Sequence, residues 1–514
     1  MRRFELGLFL IVVQLLAGCA SIDFDRPKPQ STAISPAVTA DSPLGSALNG
    51  LADANIGKSG FYMLPNGIDA LAIRLLMAQQ AEHSIDTQYY LITNDLIGRL
   101  FVESLLRAAE RGVRVRLLLD DIQTKGYDPG LSALNAHPNV EVRIYNPFAR
   151  RSARGVSAVS SFTRINRRMH NKSFTVDNQM TVIGGRNIAD EYFAARQDVN
   201  FGDLDVVGVG PIVTDVSSMF DEFWNSRPAV PVAVFADPPD DPQSALADLR
   251  DRLQRTRTDA GNTRYAEALR SSLLSTMQKD LSVFTWAPSK LVYDSPDKSD
   301  KQKADESASI RTPLIEAFDA AKRDAVIISP YFVPRKTGIE RFAELRERGI
   351  DVSVVTNSLV STNQTTVHGG YAPARKPLLE MGVRLYELRA DADIAGTEYV
   401  SSSGAKATLH TKAFAIDSSR LFIGSFNFDP RSAYINTEMG VIIDSNELAG
   451  AFTKAVHDAA PHETYEVLLN EKGKLRWQGL EDGNEVILNK EPQAGFWRRF
   501  VGGFMRLLPI RRQL

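Results

Sequence analysis

Two short stretches restrict this chain more than anything else in it: Met169–Tyr192, MHNKSFTVDNQMTVIGGRNIADEY, and Leu409–Asp429, LHTKAFAIDSSRLFIGSFNFD. Each holds histidine, lysine and aspartate in the spacing H-x-K-x4-D: His170, Lys172 and Asp177, then His410, Lys412 and Asp417. Each runs on into a small-residue turn, Gly184-Gly185-Arg186-Asn187 and Gly424-Ser425-Phe426-Asn427. The second histidine follows the first by 240 residues, and other landmarks recur at nearly that offset. Arg111-Gly112-Val113 returns 237 residues later as Arg348-Gly349-Ile350, and VEVRIY (140–145) is echoed by VRLYEL (383–388). A near-constant offset across several landmarks marks an internal duplication, so the chain is expected to fold as two similar halves.

Each half reads as strand, helix, strand. The apolar residues Ile68, Leu71, Ala72, Leu75 and Ala78 recur at helical steps over residues 67–82. SIDTQYYLI (84–92) is an expected strand, residues 95–111 a helix ending before Gly112, and VRVRLLL (113–119) the next strand. VIISPYFV (326–333) takes the place of SIDTQYYLI in the second half. This order predicts an α/β fold of two similar domains, each a mixed, mostly parallel sheet flanked by helices, related by a pseudo-two-fold axis. The expected boundaries are 56–230 for the first domain, 231–290 for a helical connector and 291–465 for the second domain. The connector carries helical patterns over 244–256 and 263–279, and residues 295–307 are expected to form a polar loop.

Composition narrows the partners. The 514 residues carry a net charge of −2, so no overall basic field draws the protein to nucleic acid, and none is expected as a partner. A single cysteine excludes an internal disulfide and a cysteine-based zinc site. That cysteine, Cys19, ends a basic start and an apolar run closing on Leu16-Ala17-Gly18-Cys19. This is the form of a secretory signal, too short to span a bilayer. Leu-Ala-Gly-Cys is similar to the bacterial lipobox, which implies a lipoprotein signal over 1–19 and lipidation of Cys19. Residues 20–55, rich in Ser, Ala, Pro and Asp, are expected to be a flexible tether.

The chemistry lies in the two blocks. Residues two apart on a strand share a face, so His170 points with Lys172 and His410 with Lys412. Asp177 and Asp417 fall on the opposite parity, at the turn, where they are expected to hold the hairpin and not to touch substrate. A lysine beside each histidine repels a cation and attracts an anion, so no metal or other cofactor is expected. Two His–Lys pairs facing each other suit a phosphate, with further contacts expected from Asn187, Asn427, Gly185 and Ser425. One imidazole would attack phosphorus while the other protonates the leaving oxygen. Each ring needs an acid on its other nitrogen, and the candidates are Asp203 and Glu438, one strand downstream of the histidines.

These twin motifs resemble those of the phospholipase D superfamily, and the resemblance covers most of residues 60–465. RINRRMHNKSFTVD, GGRNIADEYF, IGSFNFDPRSAYINTEMG and ILNKEPQAGFWRRF look like the C-type bacterial cardiolipin synthases. The resemblance implies a phosphohistidine intermediate, with His170 as nucleophile and His410 as general acid; spacing alone does not assign the two roles. It also implies transphosphatidylation between phospholipids, with phosphatidylglycerol as acceptor and phosphatidylethanolamine or phosphatidylglycerol as donor. A hydrolase releasing phosphatidic acid, a nuclease of the same superfamily and a non-catalytic scaffold are the alternatives.

Membrane-facing features surround the blocks. Arg164, Arg167 and Arg168 crowd the approach to His170, as headgroup-steering or plain surface charges, and His368 is watched as a pocket-rim residue. The tail over 466–514 ends in aromatics mixed with arginine, FWRRF, which fits a segment lying at a lipid surface or packed on the protein body. Together with Cys19 it points to the bacterial cell envelope, lipid-anchored and facing the periplasm. Ala20 after the cysteine places the outer membrane ahead of the inner.

Overall fold

The computed structural model describes residues 22–149, 162–236, 238–261, 263, 265–267, 281–299, 309–393, 406–481 and 483–505. Helix α1 (Pro43–Ala54) starts where the Ser42 hydroxyl accepts from Gly45 N–H. Strand β1 (Ser59–Leu64) leads to α2 (Gly67–Gln80), β2 (Ser84–Tyr89), α3 (Leu96–Glu110) and β3 (Arg114–Asp120). Asp95 caps α3 by accepting from Gly98 N–H, and the helix stops before Gly112, whose φ of 99° favours glycine. One face of α3, including Ile97, Phe101, Leu105 and Ala108, is buried on the sheet. The first half continues with β4 (Val140–Tyr145), β5 (Ser173–Val176), β6 (Met180–Gly184), β7 (Val199–Gly202), β8 (Asp205–Val209), α4 (Pro211–Asn225) and β9 (Ala229–Pro231). The connector helix α5 (Pro242–Ala260) packs across α3, and β10 (Thr285–Ala287) returns to the edge of the first sheet beside β1.

The second half runs β11 (Ser289–Tyr293), α6 (Arg311–Asp319), β12 (Asp324–Ile328), α7 (Arg335–Glu347), β13 (Asp351–Asn357), α8 (Thr365–Tyr371), β14 (Arg384–Leu388), β15 (Lys406–Leu409), β16 (Ala413–Ile416), β17 (Arg420–Gly424), β18 (Met439–Asp444) and α9 (Asn446–Glu463). The first sheet is ordered β10-β1-β8-β6-β5-β2-β3-β4-β9. The second follows the same plan: β11-β18-β17-β16-β12-β13-β14, closed by β19 (Thr464–Leu469), β20 (Leu475–Glu481) and β21 (Asn484–Leu488). One apolar cluster joins the halves, with Val206, Phe220, Phe223 and Trp224 from the first and Leu421, Ile423, Val441 and Phe452 from the second. Full burial of such a side chain stabilises by about 1.5–3 kcal/mol, so the seam is a shared core and not a loose contact.

The expected mixed α/β sheets flanked by helices are present, but the parallel part is confined to β2-β3-β4 and β12-β13-β14. The strands after each motif histidine insert antiparallel, because a short hairpin turn joins β5 to β6 and β16 to β17. The tether expectation needs correction. Residues 22–42 form a pinned strap: Arg116 and Arg143 donate to the carbonyls of Ser31 and Pro29, and Asp221 accepts from Ala33 N–H. Pro27, Pro29 and Pro36 keep this strap out of regular structure, so side chains of the body satisfy its backbone groups. The second domain also extends past 465, because β19–β21 continue its sheet. Charged residues such as Glu466, Arg476 and Glu485 on these edge strands hide the strand period. Of the 295–307 loop, Pro296–Ser299 form a short helical turn held by the Tyr145 hydroxyl. Its later residues, most of the 263–279 helix and Cys19 lie outside the described residues.

Candidate active site at the seam between the halves

Each motif histidine is held by the other half of the chain. His170 N–H donates to Thr437 O (2.9 Å), and His410 N–H donates to Gly202 O (2.7 Å). β7 and β15 pair in parallel up to that point, and Met169 forms the matching bridge with Thr437. This register sets the acids. Glu438, one residue after Thr437, bonds His170 Nδ1 at 2.8 Å, and Asp203, one residue after Gly202, bonds His410 Nδ1 at 2.5 Å. Asp203 and Glu438 are therefore the ring partners, but each serves the histidine of the opposite half.

The environment keeps both rings neutral. Burial pushes His170 down to about 4, with Lys172 adding to the shift and Glu438 opposing it. His410 is pushed well below its ordinary value, first by burial and then by Lys412 and Lys172. Burial disfavours the ionised Glu438, but His170, Lys172 and the Ser425 hydroxyl outweigh it and hold the carboxyl below its usual range. Burial raises Asp203, against the pull of Lys412 and Arg186. Each lysine turns back onto its own histidine's carbonyl, Lys172 Nζ at 2.6 Å and Lys412 Nζ at 2.5 Å. Burial lowers Lys172 to about 7 and Lys412 to about 8, partly countered by the acids across the seam. A dianionic or monoanionic phosphate between these two ammonium groups would restore what burial removes.

The remaining motif residues divide by task. Asp177 accepts backbone N–H bonds from Glu82, His83 and Ser84, and Asp417 accepts from Lys322, Arg323 and Asp324. Both therefore tie the motif hairpin to the start of the neighbouring antiparallel strand, β2 or β12, away from the imidazoles. Gly185 and Ser425, expected at the phosphate, make room for and hold the acids. A Cβ at Gly185 would lie 2.2 Å from Asp203 Oδ1, and Ser425 Oγ donates to Glu438 Oε2 at 2.5 Å. Asn187 and Asn427 each have a buried Oδ1 without a partner, while Asn187 Nδ2 donates to the Tyr192 hydroxyl at 3.0 Å. Turning either amide over exchanges oxygen and nitrogen without changing its shape. The Tyr192 or Ser432 hydroxyl then donates to Oδ1, and the NH2 takes the unbonded position with hydrogens free to donate.

The site has walls that the motifs do not announce. The Tyr90 ring stands edge-on to His170 at 4.9 Å, Tyr192 edge-on to His410 at 4.9 Å, and Phe201 stacks on His410 at 5.6 Å. Tyr90 directly follows β2, a position where a strand delivers its next side chain to the site, and that is the one sequence signal for it. The three arginines before His170 are each engaged by the protein. Arg168 is buried against Asp120, Arg164 donates to Asn146 and Pro147 O, and Arg167 to Lys298 O. His368 is buried and meets Arg375 at 2.8 Å inside a network with Glu387 and Glu491, so it is not a rim residue. That Arg375 guanidinium fills the space between His368, Glu387 and Glu491, where three such side chains would otherwise suit a metal.

Comparison with known proteins follows the same duplication. The family described as "Cardiolipin synthase, PLD-like domain" matches residues 75–224 and 314–458, one stretch in each half. Cardiolipin synthase C of Escherichia coli (strain K12) is 39% identical over 472 residues, covering 91% of this chain and 98% of that protein. An uncharacterized protein of Helicobacter pylori (strain ATCC 700392 / 26695) is 31% identical over 515 residues, covering 99% of each. The crystal structure of phosphatidylserine synthase from Haemophilus influenzae Rd KW20 aligns with a TM-score of 0.58 over 90% of this chain and 99% of that one. At 12% identity that likeness speaks for the fold alone. With one matched stretch on each side of a seam that joins both motifs, the chain belongs to the phospholipase D-like cardiolipin synthase family and is a phospholipase D-type phosphatidyltransferase.

Proposed function

We propose that this chain makes cardiolipin by moving the phosphatidyl group of one phospholipid onto the headgroup hydroxyl of a phosphatidylglycerol. The observation that carries this reading is the reciprocal pairing of His170 with Glu438 and His410 with Asp203 across the seam. Glu438 accepts from His170 Nδ1, which leaves the Nε2 lone pair for attack. Among the described residues no protein group bonds His170 Nε2, whereas Lys412 Nζ lies against the His410 ring, 2.9 Å from Nδ1 and 3.2 Å from Nε2. That asymmetry favours His170 as the nucleophile.

In the first step an N–P bond forms at His170 and the P–O bond to the donor headgroup breaks. The alcohol, ethanolamine or glycerol, leaves with the proton supplied by His410. The phosphate charge between Lys172 and Lys412 offsets the cations that hold His410 neutral, so on lipid binding the ring takes up a solvent proton, donates it to the leaving oxygen and returns to the neutral form for the second step. In the second step His410 takes the proton of the acceptor hydroxyl, its oxygen attacks phosphorus and the N–P bond breaks. Water in the acceptor's place gives phosphatidic acid.

Attachment to a bilayer belongs to the same proposal. Cys19 would carry acyl chains in the envelope facing the periplasm, the outer membrane ahead of the inner. Among the described residues no helix is long and apolar enough to cross a membrane. The terminal helix α10 (Phe496–Met505) is fixed to the body on one side, where Arg498 donates to the carbonyls of Leu359, Val360 and Thr362. Its other side exposes Phe496 and Trp497, each 73% accessible, and Phe500. Five arginines and no acid fall within residues 492–514, a charge that suits an anionic lipid surface. The test is to give the purified chain defined phosphatidylglycerol and phosphatidylethanolamine and to follow products by mass spectrometry. Cardiolipin supports the proposal, and phosphatidic acid alone would replace it with hydrolysis. No turnover of either lipid would overturn it.

A further inference from the structure

The duplication supplies an internal control for a groove in the second half. In the first half, α2 and α3 pack directly against each other. Their counterparts α6 and α7 stand further apart, and a cavity of about 520 Å³ opens between them and the segment that follows the second motif. Its floor is apolar, built from Leu314, Phe318, Phe342, Leu345, Phe426 and Phe428. Its mouth is basic. Arg311 lies over the Tyr434 ring at 4.4 Å, and among the described residues neither Arg311 nor Arg335 has an acidic partner. Arg335 is held at φ 48°, a backbone state unfavourable for a residue with a side chain and typical of positions kept for function. The groove reaches the active site through one loop. Phe426 and Phe428 face the groove, while Asn427 between them carries a buried, unbonded amide oxygen. Asp429, which also lines the groove, is close enough to raise the proton affinity of Lys412.

We infer that this groove holds an acyl chain of the phospholipid whose phosphate is bound at Lys412 and Asn427, with the cations at its mouth facing the anionic lipid surface. This rests on the proposed phosphatidyl transfer and adds a chain-recognition site to it. An apolar slot of several hundred Å³ ringed by a few cations matches an anionic lipid in both shape and charge. A site for the free headgroup alone would need neither the depth nor the six apolar side chains. Among the described residues the equivalent helices of the first half pack directly on each other, so a slot between α6 and α7 would let the two halves treat the two lipids of a transfer reaction differently.

The test uses the full chain in phosphatidylglycerol vesicles doped with a phosphatidylglycerol bearing a photoreactive diazirine on one acyl chain. Labelled peptides are mapped by mass spectrometry in a His170→Ala background, where binding is read without turnover. Labelling on α6, α7 or residues 426–434 that is lost in Ala433→Trp supports the groove. Labelling confined to other segments overturns it. Turnover supplies the second measurement, with six-carbon and sixteen-carbon phosphatidylglycerol compared in otherwise wild-type protein. Ala433→Trp and Phe318→Ser are expected to lower kcat/KM for the long-chain lipid by about tenfold relative to the short one. An equal loss on both lipids, or no loss in either variant, overturns the inference. If the wild type turns over no phospholipid while the groove is still labelled, the groove stands and the proposed reaction falls. Turnover without groove labelling leaves the reaction and removes the groove.

Discussion

Replacing Glu438 by glutamine tests the crossed geometry. The substitution keeps the size of the side chain and leaves its Ser425 and Asp294 backbone contacts sterically possible, but removes the charge 2.8 Å from His170 Nδ1. As His170 bonds to phosphorus its ring becomes cationic, and the bond to Glu438 becomes charge-assisted. Such bonds contribute about 1.5–3 kcal/mol. At about 1.36 kcal/mol per decade this predicts a kcat lower by roughly 10- to 150-fold. A glutamine that presents its NH2 to the ring would fix the wrong tautomer and deepen the loss toward about 10⁴-fold. The discriminating assay is pre-steady-state cleavage of a phosphatidyl-p-nitrophenol, whose leaving group departs without a proton. Glu438→Gln should stay slow on this substrate, because nucleophilic attack still depends on His170. Asp203→Asn, which disturbs the acid His410, should recover most of its rate. The reverse pattern, with Asp203→Asn slow and Glu438→Gln rescued, would refute the crossing or the assignment of roles.

Four further outcomes follow from named contacts. Asp177→Ala strips the acceptor for three backbone N–H groups and is expected to lose about 3 kcal/mol, or about 6–12 °C in Tm by calorimetry, while protein that remains folded keeps most of its kcat. Phosphate affinity should fall as pH rises above about 7–8, because Lys172 and Lys412 lose their protons there, and a pH profile of KM reads this directly. The sign for stability is opposite. Between about 7 and its ordinary 10.5 the folded Lys172 binds fewer protons than the unfolded chain, so its contribution to stability rises with pH across that window. Lys172→Met should therefore raise Tm most at pH 6–7 while abolishing turnover. In a Cys19→Ser background without acyl chains, Trp497→Glu together with Phe500→Glu should release the chain from anionic vesicles in a flotation assay, leaving turnover of lipids in detergent unchanged.

Much of the site was legible in the sequence because strand parity is a local rule. It separated His170 and Lys172 from Asp177, and the structure puts Asp177 on backbone amides. The acids were also within reach, since Asp203 and Glu438 precede equivalent strands in the duplicated halves. Their exchange was not, because it depends on His410 N–H finding Gly202 O and His170 N–H finding Thr437 O, contacts between residues more than 200 positions apart. The second use of Gly185 was hidden for a related reason. A glycine suggests close approach, and one group that approaches it is Asp203, from a strand the local sequence does not point to. The strap over residues 22–42 looked unstructured because period carries the signal for helix and strand, and proline-broken backbone held by arginines has none. The edge strands β19–β21 were missed because one exposed face mixes charges of both signs into an already short pattern.

The most direct measurement of the whole account is to quench the His410→Ala variant with alkaline denaturant during reaction with phosphatidyl-p-nitrophenol, whose leaving group needs no proton, and to locate the added mass by peptide mass spectrometry at neutral to alkaline pH. Attack by His170 with release slowed at the second step predicts a phosphatidyl adduct on the peptide containing His170, absent in the His170→Ala protein. Turnover by the wild type with no adduct on that histidine, or an adduct on His410 alone, would contradict it.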